Sequence, residues 1–374
     1  MLNFFKILKS NFNILKNIQK LKKKNYKIIF YSENKSYQKY VHLILDVLSQ
    51  KYPGQILYVS SDEYDVIKNF KVDNLFVGKN LLMQYFFLSV SAKNVILTLT
   101  DLDNHQIKKT KKVNNYIYYF HAAASTTKVY TETAFDNYDT ILCNGDYQIS
   151  EITKRESLKN LKKKKLIKSG YFYFDYLKDK INNQVVANEI LVAPSWNYSQ
   201  KNFINENIEL LISKLIEKNY KVRFRPHPEN LKRSKLYLNG IKKQFNGDHF
   251  IFDDNPENLA SMEKAKCLIT DASAIAIEYV LMFKRPVLYL DDIDKVHNNR
   301  FLEYEDLITM DQKIKDTFGF SFKKNQINEI DLILSKALSD FVNKDDEINN
   351  FLDNYFYNFG ETKNKLNDEI NKIL

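Results

Sequence analysis

The sequence predicts an α/β protein of two Rossmann-like, doubly wound domains facing a central cleft. Three observations carry this. From Tyr26 onward, short apolar runs of β character alternate with helical stretches, and their apolar character is continuous, as in strands covered on both faces. A second series of the same kind starts after the pattern thins between Glu151 and Ala187. Most reactive polar residues stand just past strand-like runs, where open parallel sheets bind ligands.

The opening MLNFFKILKSNFNILKNIQKLKKK sets Phe4, Phe5, Leu8, Phe12, Leu15 and Ile18 at helical spacing, with Lys6, Lys9, Lys16, Lys20 and Lys22 to Lys24 elsewhere. Such a basic amphipathic helix can lie on an anionic membrane surface, and it can equally pack on its own domain. In the first domain, residues 25–186, KIIFYS, QILYVSS, NLFVG, NVILTLT, NYIYYFH and DTILCNG read as strands, with helices over SYQKYVHLILDVLSQ and NLLMQYFFLSVSA. The Lys-rich NLKKKKLIK reads as a solvated helix face or membrane-facing patch. It lacks the interleaved aromatics of a nucleic-acid surface. In the second domain, residues 187–335, EILVAPSW, KVRFRP, HFIFDD, CLITD and PVLYLD read as strands. Helices are expected over Asn205–Lys218, ENLASMEKA and SAIAIEYVLMF. A helical segment, residues 336–374, is expected to cross back to the first domain.

The 374 residues are 44% hydrophobic, enough for a large core and too apolar for a disordered chain. Net charge is +10, which fits a phosphorylated substrate or an anionic membrane as partner. Cys143 and Cys267 lie in apolar runs without metal-ligand spacing and read as buried thiols of a reducing compartment. No apolar run approaches the roughly 18 residues of a membrane span. The expected location is the cytoplasm, with the inner face of the cell membrane in reach of residues 1–24.

Only 6 His and 6 Pro occur, yet RFRPHPEN holds His227 between two prolines beside Arg223 and Arg225. The prolines stiffen the turn, so Arg225 can fork onto phosphate oxygens while His227 donates to them. His121 ends NYIYYF and opens HAAASTTK, where Ser125 and Lys128 are candidate acceptor contacts. A histidine there suits a general base, or a half-buried ring bonded to backbone. In CLITDASAIAIEYVL the strand stops at Thr270 and Asp271, and Ser273 stands at an N-cap position before an apolar helix. A helix start of this kind binds anions, and Ser273 can also cap without a ligand. Glu278, one turn on, is a ribose candidate or a solvated acid. Asp101 and Asp103 in TDLDN, and Asp291, Asp292 and Asp294 in DDID, read as loop carboxylates rather than a metal site. The chain contains neither GxGxxG nor GxxxxGK[ST].

FHAAASTTK, RPHP and TDASAIAIEY, in this order, resemble the three motifs of the CDP-glycerol glycerophosphotransferase family, enzymes of the GT-B fold that prime or polymerise teichoic-acid-like polymers. AFDNYDTILCNG, SGYFYFD with Gly170 and Asp175, APSW with Ser195, and KRPVLYLDD are further matches. Ala122 stands where that family has glycine, and Ala272 and Ala274 stand where it has tyrosine and a second serine. The resemblance implies transfer of a phosphoglycerol or other phospho-alditol from a CDP-alditol to a hydroxyl of a surface glycan or lipid-linked acceptor, with release of CMP. It implies His121 as base, and Arg223, Arg225, His227, Ser195, Thr270, Asp271 and Ser273 toward the diphosphate. It calls for no cofactor, metal or nucleic acid. The alternatives are a GT-B glycosyltransferase using a nucleotide sugar, a sugar-nucleotide epimerase on the same fold, and a basic scaffold for membrane or nucleic acid.

Overall fold

The computed structural model describes residues 2–105, 107–182, 188–197, 203–292 and 295–374. The chain divides into two compact units. The first comprises Met1–His121, Tyr130–Tyr176 and Tyr355–Leu374, and the second Ala122–Val129 and Leu177–Asn354.

The first unit begins with α1 (Leu2–Lys22), β1 (Ile28–Ser32), α2 (Gln38–Lys51), β2 (Ile56–Ser60), β3 (Asp73–Phe76), α3 (Leu81–Ser89) and β4 (Ala92–Leu97). It continues with β5 (Val113–Tyr119), β6 (Thr140–Cys143), α4 (Asp146–Leu158), β7 (Lys165–Lys168) and α5 (Phe172–Lys180). All seven strands are parallel, in the order β3-β2-β1-β4-β5-β6-β7. Phe30 sits between Tyr58 and Ile96 in register, and the strand alternation sorts the core. Ile29 and Tyr31 enter one buried cluster, while Ile28 and Phe30 enter the other. A one-residue slip would exchange them.

The α1 helix packs on its own unit: Ile14 and Ile18 are buried against the first cluster and Leu21 lies against it. Phe12 stays 68% exposed. The side chains of Phe4, Phe5, Lys6, Leu8 and Lys22 lie outside the described residues. The run NLKKKKLIK is not a helix face; Lys165–Lys168 is the edge strand β7. Lysines on an edge are compatible with pairing on one side and discourage further strand addition on the other. Lys164, just before it, is held against Glu156 at 3.5 Å.

The second unit contains β8 (Glu189–Val192), α6 (Phe203–Glu217), β9 (Lys221–Phe224), α7 (Pro228–Arg233), α8 (Lys235–Gln244), β10 (Phe250–Phe252) and α9 (Leu259–Lys264). It continues with β11 (Cys267–Thr270), α10 (Ile275–Phe283), β12 (Val287–Leu290), α11 (Met310–Phe318), β13 (Gly319–Phe322), α12 (Ile330–Asp340) and α13 (Asp345–Tyr355). Its six parallel strands run β10-β9-β8-β11-β12-β13. Ile190, Val192, Phe224 and Ile269 centre the core. Cys143 and Cys267 are both buried, and burial pushes each thiol up.

The chain end returns to the first unit through α14 (Thr362–Ile373). Asp175 receives the Gly360 N–H at 2.9 Å, the Thr362 N–H at 2.8 Å and the Thr362 hydroxyl at 2.6 Å. Gly170 adopts φ +84°, and a Cβ there would stand 2.2 Å from the Tyr357 carbonyl oxygen. Only glycine lets the returning chain approach so closely.

Candidate active site

In the first unit, β5 ends at Tyr119 and delivers His121 two residues on. Its ring meets Tyr37 edge-on at 5.1 Å and lies 6.1 Å from Tyr40. The Thr98 backbone bonds the ring, and the buried Nδ1 has no hydrogen-bond partner. A carbonyl can only accept, so the Thr98 bond fixes the proton on Nε2 and leaves the Nδ1 lone pair bare. Burial pushes the imidazole down to about 4, and the Lys39 charge adds to this. The ring is therefore a neutral proton acceptor at pH 7.

Residues Ala122–Val129, next in the chain, belong to the second unit. Ser125 donates its N–H to Asp311 at 3.0 Å and accepts the Met310 N–H on its hydroxyl at 2.6 Å. The Lys128 carbonyl accepts from the His297 N–H at 2.9 Å and the Asn298 N–H at 3.2 Å. Ser125 is fully buried, so its hydroxyl serves this clasp, whereas Lys128 reaches a cavity.

That cavity, of about 440 Å3, lies at the carboxyl ends of β11 and β12. Ser273, Ala276 and Ile277 from the start of α10 line it, together with Thr309, Asp311 and Gln312 from the start of α11. Two helix N-termini, each carrying partial positive charge, thus border one space. Lys128, Lys295 and Lys315 also line it. Lys315 is paired with Asp291 at 2.6 Å. Burial pushes the Lys295 ammonium down, opposed by the Asp271 and Asp311 charges. Burial pushes the Asp311 carboxyl up, while the Ser125 N–H and the Lys295 charge oppose it.

The expected site residues divide accordingly. Asp271 and Ser273 line the cavity with Lys128. The α10 cap is Ala274, so Ser273 precedes the cap by one residue and its carbonyl accepts the Ala276 N–H at 3.0 Å. Asp271 is buried and receives both the N–H and the hydroxyl of Ser195, at 2.7 and 2.9 Å. Asn230 of α7 donates to the Ser195 carbonyl at 3.3 Å, tying the RPHP turn to this pair. Thr270 donates to the Ala193 carbonyl at 2.7 Å.

The arginines and His227 stand two strands away, at β9. His227 caps α7, its Nδ1 accepting the Glu229 N–H at 3.2 Å, which leaves a proton on Nε2. Arg225 pairs with Asp253 at 3.1 Å and donates to the Asn255 carbonyl at 2.6 Å. Arg223 points its guanidinium at Glu189, 2.6 Å away, with Asp253 at 3.8 Å. Glu278 is buried within α10 rather than solvated. Neither His227, Arg225, Arg223 nor Glu278 lines the 440 Å3 cavity.

The carboxylate clusters have structural partners. Asp101 accepts the hydroxyls of Thr131 and Thr133 at 2.7 and 2.9 Å, and Asp103 accepts the Lys109 N–H at 3.1 Å. Asp292 accepts the Lys324 N–H, and Asp294 lies outside the described residues. Among the described residues no group of three His, Cys, Asp or Glu is placed to hold a metal ion, and no helix is long and apolar enough to cross a membrane.

Sequence reasoning missed Lys295, Asp311, Gln312 and Lys315. One signal was present: Thr309-x-x-Gln312 before a periodic apolar stretch is a helix-start pattern, and the Thr309 hydroxyl does accept the Gln312 N–H at 3.2 Å.

Two all-parallel units, one with a cavity at its strand ends lined by both lysines and aspartates, define the class: a GT-B-like α/β fold. The family model for CDP-glycerol:poly(glycerophosphate) glycerophosphotransferase matches residues 13–311, and the chain belongs to that family. The wall teichoic acid polymerase TagF superimposes with a TM-score of 0.61 at 17% identity, covering 100% of this chain and 98% of that one. A histidine variant of TagF soaked with CDPG gives 0.63 at 16% identity over the same spans. The UDP-GlcNAc 2-epimerase of Methanocaldococcus jannaschii, in complex with UDP-GlcNAc and UDP, gives 0.58 at 13% identity, covering 93% of this chain and 100% of that one. At these identities the structural likenesses establish the fold. No curated protein sequence matches the chain.

Proposed function

We propose that this enzyme transfers a phosphoglycerol, or a closely related phospho-alditol, from a CDP-alditol to a hydroxyl of a surface glycan or lipid-linked acceptor, releasing CMP. The observation that carries the reading is the cavity of the second unit, where two helix N-termini and Lys128, Lys295 and Ser273 converge at strand ends. A diphosphate needs neutralisation by fixed donors, and the lysines and helix starts that share this cavity with Asp271, Asp291, Asp292 and Asp311 support that reading. Family membership supplies the donor class, and TagF, a wall teichoic acid polymerase of the same fold, has been soaked with CDPG.

In the proposed step the acceptor oxygen attacks the phosphorus that bears glycerol. Its proton passes to Nδ1 of His121, and the bond from that phosphorus to the bridging oxygen breaks, with CMP leaving on the electron pair. Lys295, Lys128, Ser273 and the α10 N-terminus stabilise charge on the diphosphate. His227, through its Nε2 proton, and Arg225 are assigned to the donor from the RPHP turn, outside the lining of that cavity. Ser195, Asp271 and Thr270 hold the strand-end loops in place, and Arg223 with Glu189 supports β9. Ser125 anchors the segment that carries Lys128.

The proposal includes attachment to the inner face of the cell membrane through residues 1–24, whose lysines and exposed Phe12 suit an anionic surface. Co-sedimentation with phosphatidylglycerol liposomes tests it: Phe12→Asp should weaken binding, and unchanged binding would remove α1 from the account. The transfer reaction is tested by acceptor-dependent CMP release from CDP-glycerol. Turnover of a nucleotide sugar with formation of a glycosidic bond would replace it with the glycosyltransferase reading.

A further inference from the structure

Lys39, the second residue of α2, is buried at 8% exposure, and the proposed step gives it no task. Lysine is rarely buried, because its charge loses hydration that the protein has to replace. Here the ammonium lies 5.0 Å from the centre of the Tyr40 ring and 5.8 Å from that of Tyr173. The negative faces of such rings return part of the lost hydration. Tyr40 and Tyr173 pack edge-on at 4.7 Å, which fixes the seat, and Tyr40 also lies 6.1 Å from the His121 ring. The Tyr40 ring is thus shared by the ammonium and the imidazole.

The same helix end brings further positive charge. Tyr37, the N-cap of α2, meets the His121 ring edge-on at 5.1 Å. The helix has 14 residues and no acid in its first turn, so the partial positive charge of its leading N–H groups is not offset there. The groups about the ring come from α2 (Tyr37, Lys39 and Tyr40), from the Thr98 backbone after β4 and, behind Tyr40, from α5. In α5, Tyr173 stacks on Tyr176, which packs on His42 of α2, and Asp175 is taken up by Gly360 and Thr362. A second proton on His121 would therefore place an imidazolium beside an ammonium and a helix N-terminus. Both repel it, and both add to the cost of burial.

We propose that Lys39 is a positioning residue of the transfer reaction: seated on Tyr40 and Tyr173, its charge keeps His121 in the singly protonated form that can take the proton of the acceptor hydroxyl. Its bearing on the reaction rests on the reading of His121 as the base. Lys39 acts through the ring, and its charge, rather than its bulk, is what the reaction uses.

NMR of the full chain carrying ring-13C histidine tests this, with the His121 signal assigned by its loss in His121→Ala. In the native chain the ring should stay neutral from pH 7 to 5, and a protonation midpoint at the ordinary 6.5 would overturn the proposal. Lys39→Met, unbranched and uncharged, should raise the midpoint from about 4 toward 6.5, whereas Lys39→Arg should hold it. Melting temperature checks folding, and Lys39→Gln gives a second uncharged variant. A folded uncharged variant with the native midpoint would overturn the proposal. So would Lys39→Arg moving the midpoint as far as Lys39→Met, since packing would then be the cause. Acceptor-dependent turnover keeps the two readings apart: the acid limb of kcat/KM should rise together with the NMR midpoint. If the midpoint rises while the limb stays in place, the base reading fails and the hold of Lys39 on the ring stands.

Discussion

His121 shows how one residue's surroundings set its task. Sequence placed it at a strand end and left open whether it was a base or a ring bonded to backbone; in the structure the Thr98 backbone bonds the ring and the buried Nδ1 has no hydrogen-bond partner, which is compatible with the proposed role of base. His121→Ala should lower acceptor-dependent turnover by about 100- to 10,000-fold while leaving donor binding near its original strength, measured by calorimetry with CDP-glycerol. Its ionisation predicts the pH profile. Because the ring loses its proton at about 4, kcat/KM should hold from pH 7 down past pH 5 and fall only toward pH 4. A limb near 6.5 would show that the ring in solution is solvated. The same shift bears on stability. His121 and His297 are both held neutral, each down to about 4, while the unfolded chain takes up these protons below its ordinary 6.5. The unfolded state then binds more protons, so stability should be complete above pH 6.5 and decline as pH falls toward 4. Urea midpoints at pH 7, 5.5 and 4.5 measure it. Ser273 and Asp271 were legible because a polar pair follows an apolar strand. Lys295 was not, since a lysine in an irregular loop carries no period and no motif.

At the scale of elements, long and strongly apolar segments were the readable ones. The strands β1, β2, β4, β5, β6, β8, β11 and β12 are buried along nearly their whole length and announced themselves. The stretch from Glu151 to Ala187 was read as thinning, yet it holds most of α4, with β7 and α5. The edge strand β7 buries only Ile167, so lysine dominates its composition. The β13 strand, GFSF, was hidden in the same way at the other sheet's edge. Two elements carry predictions. The α1 helix covers part of the first core, so deleting residues 1–24 should cost about 1.5–3 kcal/mol for each of Ile14 and Ile18 and lower the denaturation midpoint. A midpoint equal to that of the full chain would mean the helix is dispensable to the fold. The end of the chain is held by Asp175, and Asp175→Ala leaves three donors at Gly360 and Thr362 without their acceptor. The expected loss is about 2–3 kcal/mol in a urea titration, with donor affinity in the second unit unchanged.

For the whole molecule, the sequence pattern carried the α/β class, the two parallel sheets and the return of the C-terminal helix. The allocation of Ala122–Val129 to the second unit was out of its reach, because it rests on the Ser125, Met310 and Asp311 clasp between segments about 185 residues apart. The consequence is that a segment following the candidate base lines the cavity of the second unit through Lys128. The central claim is that this cavity binds a diphosphate donor for phosphoryl transfer to a hydroxyl. The most direct test is phosphorus NMR of the purified protein with CDP-glycerol and a glycan acceptor, comparing the native chain with Lys295→Met. The account predicts CMP and a new phosphodiester resonance that depend on the acceptor, and a donor KM about tenfold higher in the variant. A diphosphate left intact across acceptors, with a nucleotide sugar consumed instead, would contradict it.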